Sequence, residues 1–108
     1  MKYAEYNLDL KINASRITTI RIGDHYKLKH GSYMNDRLIL ELVQALDGGT
    51  FKSDSNFNGI AYYAADINHV STLNQKRCYR LIWLFEGDAL EILGIVNAYR
   101  RKKKRKGI

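Results

Sequence analysis

Proline is absent from all 108 residues. The chain therefore has no rigid turn markers and no proline-rich linker, and no internal repeat divides it. Cysteine is almost as scarce: Cys78 stands alone, so it cannot close an internal disulfide and has no second thiol to complete a sulfur-rich zinc site. A reducing, cytoplasmic place of action fits that usage. Long apolar runs are missing too. Nothing approaches the roughly 18 residues that span a bilayer, and Met1-Lys-Tyr-Ala-Glu-Tyr6 lacks the apolar stretch of a secretory signal, so no membrane insertion is expected. Also absent are a Gly-rich phosphate loop, a nucleophilic serine elbow and a paired-carboxylate signature.

What is present argues for a folded domain. Apolar residues make up 45% and aromatics 11%, with eight tyrosines spread along the chain, whereas disorder needs sparse apolar residues. The length suits one compact domain, expected over 1–99, followed by a basic tail over 100–108. The charge is unevenly placed. Lys and Arg number 18 against 11 Asp and Glu, a formal net charge of +7, and residues 100 to 106 are seven cations in a row, so the remaining body is neutral. Such a run is a surface for a polyanion, RNA or DNA first; the plainer alternative is a solvated terminus that keeps the protein soluble.

Along the chain, residues 3 to 22 alternate loosely and Ile17-Thr-Thr-Ile-Arg-Ile22 reads as a strand, broken by Gly23-Asp24. His25-Tyr-Lys-Leu-Lys-His-Gly31 suits a single helical turn or an irregular loop. Asn35 can cap a helix with Asp36 in its first turn and Leu38, Ile39, Leu42, Val43 and Leu46 along one face, ending at Gly48-Gly49. Residues 50 to 59 read as a loop, Ile60 to Asp66 as a short strand, and 67 to 77 as a second loop. The firmest element is a C-terminal β-hairpin, Tyr79 to Tyr99, turning at Glu86-Gly-Asp-Ala89. A tight turn there places Phe85 opposite Leu90 and Arg80 opposite Ile95. Alternation puts Arg80 on one face with Asn97 and Tyr99, and Leu81, Trp83 and Phe85 on the other with Gly94 and Val96. The expected fold class is α+β: a helix packed on a twisted antiparallel sheet of about four strands.

Chemistry concentrates where His25 and His30 flank Lys27 and Lys29. Cleaving RNA without a metal needs a base for the 2′-hydroxyl proton, an acid for the 5′ leaving oxygen, and cations for the charge building on the phosphorus oxygens. Histidine serves either proton role near neutral pH, and Lys and Arg serve the third. His69, alone in its loop, reads as a surface residue. A zinc site at His25 and His30 lacks a patterned further ligand, since Asp24 and Asp36 match no known spacing, and no metal or other cofactor is expected. Arg80 can snorkel at a sheet edge or act in a site with Asn97 and Tyr99. Tyr99 can stack on a base or exchange a proton.

Tyr79-Arg80-Leu-Ile-Trp, a turn at Gly87-Asp88, Leu90-Glu-Ile-Leu-Gly-Ile-Val and a terminal Tyr99-Arg100 together resemble the C-terminal half of RelE- and YoeB-like ribonuclease toxins. These sit in a wider barnase, EndoU, colicin and RelE-like fold group that includes colicin-type and contact-dependent-inhibition tRNases. The Lys-His-Gly stretch at 29 to 31 is similar to segments near the start of several such domains. The likeness covers about 25 residues well and 25 vaguely, and strands in place of an opening helical hairpin, with so long a polycation, depart from the RelE pattern. It implies a metal-independent endoribonuclease toxin that cuts tRNA or mRNA by 2′-hydroxyl attack, in the cytoplasm, with a cognate antitoxin or immunity protein as partner; delivery as part of a larger exported toxin is compatible with it. His25, Lys27, His30, Arg80 and Tyr99 would be catalytic. Lys29, Asn97, Arg100, Arg101, Lys102, Lys103, Lys104, Arg105 and Lys106 would hold RNA. The alternative is a non-catalytic module of ParE-like or phage-inhibitor type that binds nucleic acid or protein.

Overall fold

The computed structural model describes residues 2–101, and in it the loose alternation of residues 3 to 22 becomes a hairpin of β1 (Tyr3–Ile12) and β2 (Ser15–Gly23). Asn13 and Ala14 turn between them, both at positive φ (54° and 61°), which matches the right-handed twist of the flanking strands. Two short helices follow, α1 (Tyr26–His30) and α2 (Asp36–Gln44). Asn35 caps α2 by accepting the Leu38 N–H at 2.8 Å, and Asp36 places a carboxylate at the positive end of the helix. The helix stops at Gln44, short of Gly48-Gly49, and Leu46 is buried from the turn that follows. The rest is strand: β3 (Ser55–Phe57), β4 (Ile60–Val70), β5 (Lys76–Glu86) and β6 (Ile92–Arg101).

The six strands form one sheet in the order β1-β2-β6-β5-β4-β3, antiparallel throughout except for a parallel pairing of β2 with β6. Strand accounts for 54% and helix for 14%. This overturns the expected helix on a sheet of about four antiparallel strands. The polar stretch at 50 to 59 hides β3, because Ser55 and Asn56 gain their ladder bonds from Tyr62 and Ala61 of β4 rather than from any strand propensity of their own. Asn58-Gly59, with φ of 52° and 77°, makes the tight connection. Likewise the expected loop at 67 to 77 contains the end of β4 and the start of β5, with only Ser71 to Gln75 between them.

The C-terminal hairpin exists, but in a different register. Five residues, Gly87 to Glu91, join its strands, and Phe85 faces Leu93 rather than Leu90. Between Ile82 and Trp83 the ladder shifts, with Val96 as the extra residue, so Ile82 pairs with Asn97 and Arg80 with Tyr99 instead of Ile95. Arg80, Asn97 and Tyr99 do share a face. Gly94, opposite Leu84, lies on that same face, and the inward residues of β6 are Leu93, Ile95 and Ala98. The strand runs through Arg101, so the first two cations of the basic run belong to the sheet.

All of the core lies on one side. Ile12, Ile17, Ile20, Leu81 and Leu93 from the sheet meet Ile39, Leu42 and Val43 of α2, all fully buried. Trp83 is enclosed between the stacked ring of Tyr63 (centroids 5.9 Å, 14°) and the edge of Phe51 (5.3 Å, 89°). One carboxylate ties the layers: Tyr6 of β1 and Tyr26 of α1 each donate a phenolic hydrogen to Asp36, at 2.7 and 2.6 Å. Burial first, then that hydrogen bond, raises the Tyr26 phenol well above its ordinary value of 10.0, and the Asp36 bond is the main cause of a rise at Tyr6. The folded state thus holds these protons where an unfolded chain releases them. Stability should be complete below about pH 10 and decline above it, as linkage requires when a folded-state value is raised. Urea unfolding between pH 8 and 11 should show this decline, and Tyr26→Phe should flatten it; an equal slope in the variant would contradict the assignment.

Candidate functional site

The parallel ladder between β2 and β6 ends at Ile22 and Ile95, while β6 continues for six more residues. The edge that β2 leaves is taken by α1 and the turn after it, and the Arg100 N–H donates to the Tyr33 hydroxyl at 3.0 Å. This docking opens a cleft of about 290 Å³ lined by His25, Leu28, Lys29 and His30 on the helical side and by Asn97 and Tyr99 on the strand. The His30 and Tyr99 rings stack, with centroids 5.5 Å apart and planes at 29°. On its other side His30 meets Tyr33, whose hydroxyl lies 2.9 Å from Nδ1. The Tyr33 oxygen thus sits between the Arg100 N–H, which donates to it, and His30 Nδ1, toward which the hydroxyl donates or from which it accepts according to the ring's tautomer. The Arg100 guanidinium lies 4.5 Å from the centre of the Tyr33 ring, a cation–π contact that holds the same corner together.

Arg80 stands directly across the ladder from Tyr99 and next to Asp66 of β4. Its guanidinium donates to both carboxylate oxygens of Asp66, at 2.8 and 3.2 Å, and Arg101 approaches the same carboxylate at 3.6 Å. The Arg80 bond holds the Asp66 carboxyl below its ordinary range despite partial burial, and Asp66, with a smaller contribution from the neighbouring Tyr99 phenol, raises Arg80 in turn. One carboxylate between two guanidiniums leaves a single net positive charge, fixed in place by the bidentate bond. All three side chains are partly exposed, so this is an oriented surface charge rather than a buried pair.

The cleft thus collects His25, Lys29, His30, Asn97 and Tyr99, with Arg80 beside Tyr99. Lys27 is not among them. Its ammonium lies 5.9 Å from the centre of the Tyr26 ring and borders a separate depression with Asp24 and Asp36. On a five-residue helix, positions 25 and 29 share a face that 27 does not. His69 is on the other side of the sheet, paired with Glu41 of α2 at 3.0 Å. Lys102, Lys103, Lys104, Arg105 and Lys106 lie outside the described residues. Tyr33 and Asp66 were not anticipated. Tyr33 follows His30 by three residues, a spacing that carried the signal, whereas Asp66 became visible only through the β4–β5 register.

Two imidazoles, a phenol, an ammonium and an amide around one opening can move protons and hold an anion. Among the described residues, no three His, Cys, Asp or Glu side chains are gathered as a metal site requires. No helix among them is long and apolar enough to cross a membrane. No known protein family, curated protein or solved structure matches the chain. The Tyr33 contact at His30 has a direct readout. In long-range ¹H–¹⁵N NMR, Tyr33→Phe should shift the His30 ring nitrogens; unchanged ring-nitrogen shifts would remove the contact.

Proposed function

We propose that this protein is a metal-independent endoribonuclease of toxin type, cutting RNA by attack of a 2′-hydroxyl on the adjacent phosphorus. The observation that supports it best is the stacking of His30 on Tyr99, which sets two imidazoles and a phenol beside the strand that runs on into the polycation. His25 takes the 2′-hydroxyl proton. The 2′ oxygen bonds to phosphorus as the bond to the 5′ oxygen breaks, giving a 2′,3′-cyclic phosphate. His30, protonated and with Nδ1 engaged by Tyr33, gives the proton on Nε2 to that leaving oxygen. Lys29 and the oriented Arg80 meet the charge on the non-bridging oxygens, and Tyr99 stacks on a neighbouring base or relays a proton. Arg100, Arg101 and the cations up to Lys106 hold the RNA backbone. The cytoplasm is the place of action, and an acidic antitoxin or immunity protein is the expected partner.

Incubation with total RNA in EDTA tests this. Discrete fragments are expected, with His25→Ala and His30→Ala each slowing cleavage by roughly 10²–10⁴-fold while the thermal transition stays within a few degrees. Retarded but intact RNA would instead identify a binding module. Asp66→Asn offers a second test. With no carboxylate left against Arg80 and Arg101, RNA binding should tighten and its dependence on log salt should steepen by roughly 0.7 for each additional phosphate neutralised. An unchanged slope would remove Arg80 from the phosphate-binding set.

A further inference from the structure

The sheet ends on β1 at one side and on β3 at the other, and the two edges are built differently. Along β1 a bulge between Asn7 and Leu10 breaks the ladder, the Lys11 N–H donates to Asp47 Oδ1 at 2.8 Å, and the Lys11 C=O accepts from the Gly48 N–H at 2.6 Å. Glu5, Asp9 and Lys11 add charge, so this edge resists a further strand. The other edge is open. β3 covers only Ile60 to Tyr62, and from Tyr63 to Val70 β4 pairs with β5 alone. The Ser71 N–H donates to the Gln75 C=O, and the Tyr62 C=O accepts from the Asp54 N–H on the side of β3, so alternation directs the backbone groups of Ala64, Asp66, Asn68 and Val70 away from β5. None of these groups finds a backbone partner among the described residues. The stretch holds no proline, lysine or bulge, the usual devices that keep an edge from being extended.

We propose that this edge docks a second copy of the chain, β4 against β4 in antiparallel fashion about a two-fold axis. The open stretch selects both partner and register. Its outward-facing residues are symmetric about Ile67, so pairing Ala64 with Val70 of the second copy, and Asp66 with Asn68 of the second copy, uses all four in each strand. A shift of two residues in one direction sets Val70 against Tyr62, which β3 already covers, and in the other sets Ala64 against the turn after Val70. The symmetric register also places the Asp66 carboxylate beside the amide of Asn68, which can donate to it, whereas the first shift sets Asp66 against Asp66. The apolar ends match as well. Phe57 and Ile60 at one end, and Val70 and Leu73 at the other, are four of the seven large apolar side chains exposed among the described residues. Antiparallel pairing brings each end of one copy to the opposite end of the other, a match that a strand from an unrelated protein has no reason to make. Two six-stranded sheets then become one, with the Arg80 guanidiniums of both copies on the same face.

Sedimentation equilibrium of the full chain over a concentration series tests this, together with amide hydrogen exchange read residue by residue. The mass should rise from 12.5 kDa to twice that value. In the dimer the N–H groups of Ala64, Asp66, Asn68 and Val70 should exchange at least about tenfold more slowly, while those of Ala65 and Ile67, already bonded to β5, change less. Ala64→Pro removes an outward donor without touching the β5 ladder, and it should leave a monomer with an unchanged circular dichroism spectrum. If that variant fails to fold, Ile67→Cys in a Cys78→Ser background decides. The two thiols meet on the axis at a spacing that a disulfide spans, so mild oxidation should give a covalent dimer. A monomer at every concentration, a dimer whose four outward amides exchange at the monomer's rate, or an Ala64→Pro chain that still dimerises overturns the proposal. So does the absence of cross-linking at position 67.

Discussion

The parallel pairing of β2 with β6 is the constraint on which the rest depends. Parallel neighbours cannot be joined by a tight turn, so the chain between them must cross the sheet and return, and it does so through α1, α2 and the β3–β4–β5 meander. The pairing is also incomplete, because β2 stops at Gly23 while β6 continues to Arg101. That difference in length leaves a strip of β6 backbone without a strand partner, where the Tyr33 hydroxyl accepts from the Arg100 N–H and the Asn97 side chain from the Ala98 N–H, with α1 packed alongside. The cleft is a consequence of how this strip is covered. His25, Lys29 and His30 face Asn97 and Tyr99 because α1 packs against β6 beyond the end of β2.

The second organising fact is that apolar burial is one-sided. Helix α2 and the large buried side chains among the described residues lie on one face, tied to β1 and α1 at Asp36 by two tyrosine hydroxyls. The other face is held by ion pairs between strands: Arg21 with Glu5 and Glu86, Arg80 and Arg101 with Asp66. Exposed pairs of this kind add little to stability. Their effect is to orient charge, with a surplus guanidinium beside Tyr99.

Some of this was legible in residue order. The cap at Asn35, the apolar stripe of α2 and the two long C-terminal strands follow from local propensity and periodicity, whereas His25 to Gly31 left a helical turn and an irregular loop both open. The Asn58-Gly59 dipeptide is the strongest short hairpin signal in the chain, yet the polar residues before it disguised β3 as loop. The tight turn expected at Glu86 to Ala89 was wrong by the length of the connection, and the bulge at Val96 moved the register again, from Ile95 to Tyr99 opposite Arg80.

Sequence by itself determined which segments are strand or helix wherever apolar residues recur with a period, and it determined that the cations crowd at one end, because both are properties of neighbouring residues. Tertiary structure alone decided the six-stranded order, the separation of Lys27 from the two histidines it lies between, and the choice of Asp66 as the partner of Arg80. Each of these turns on pairing between residues far apart in the chain. A shift of one residue in such pairing exchanges the two faces of a strand, and nothing in local composition records which register the backbone adopts.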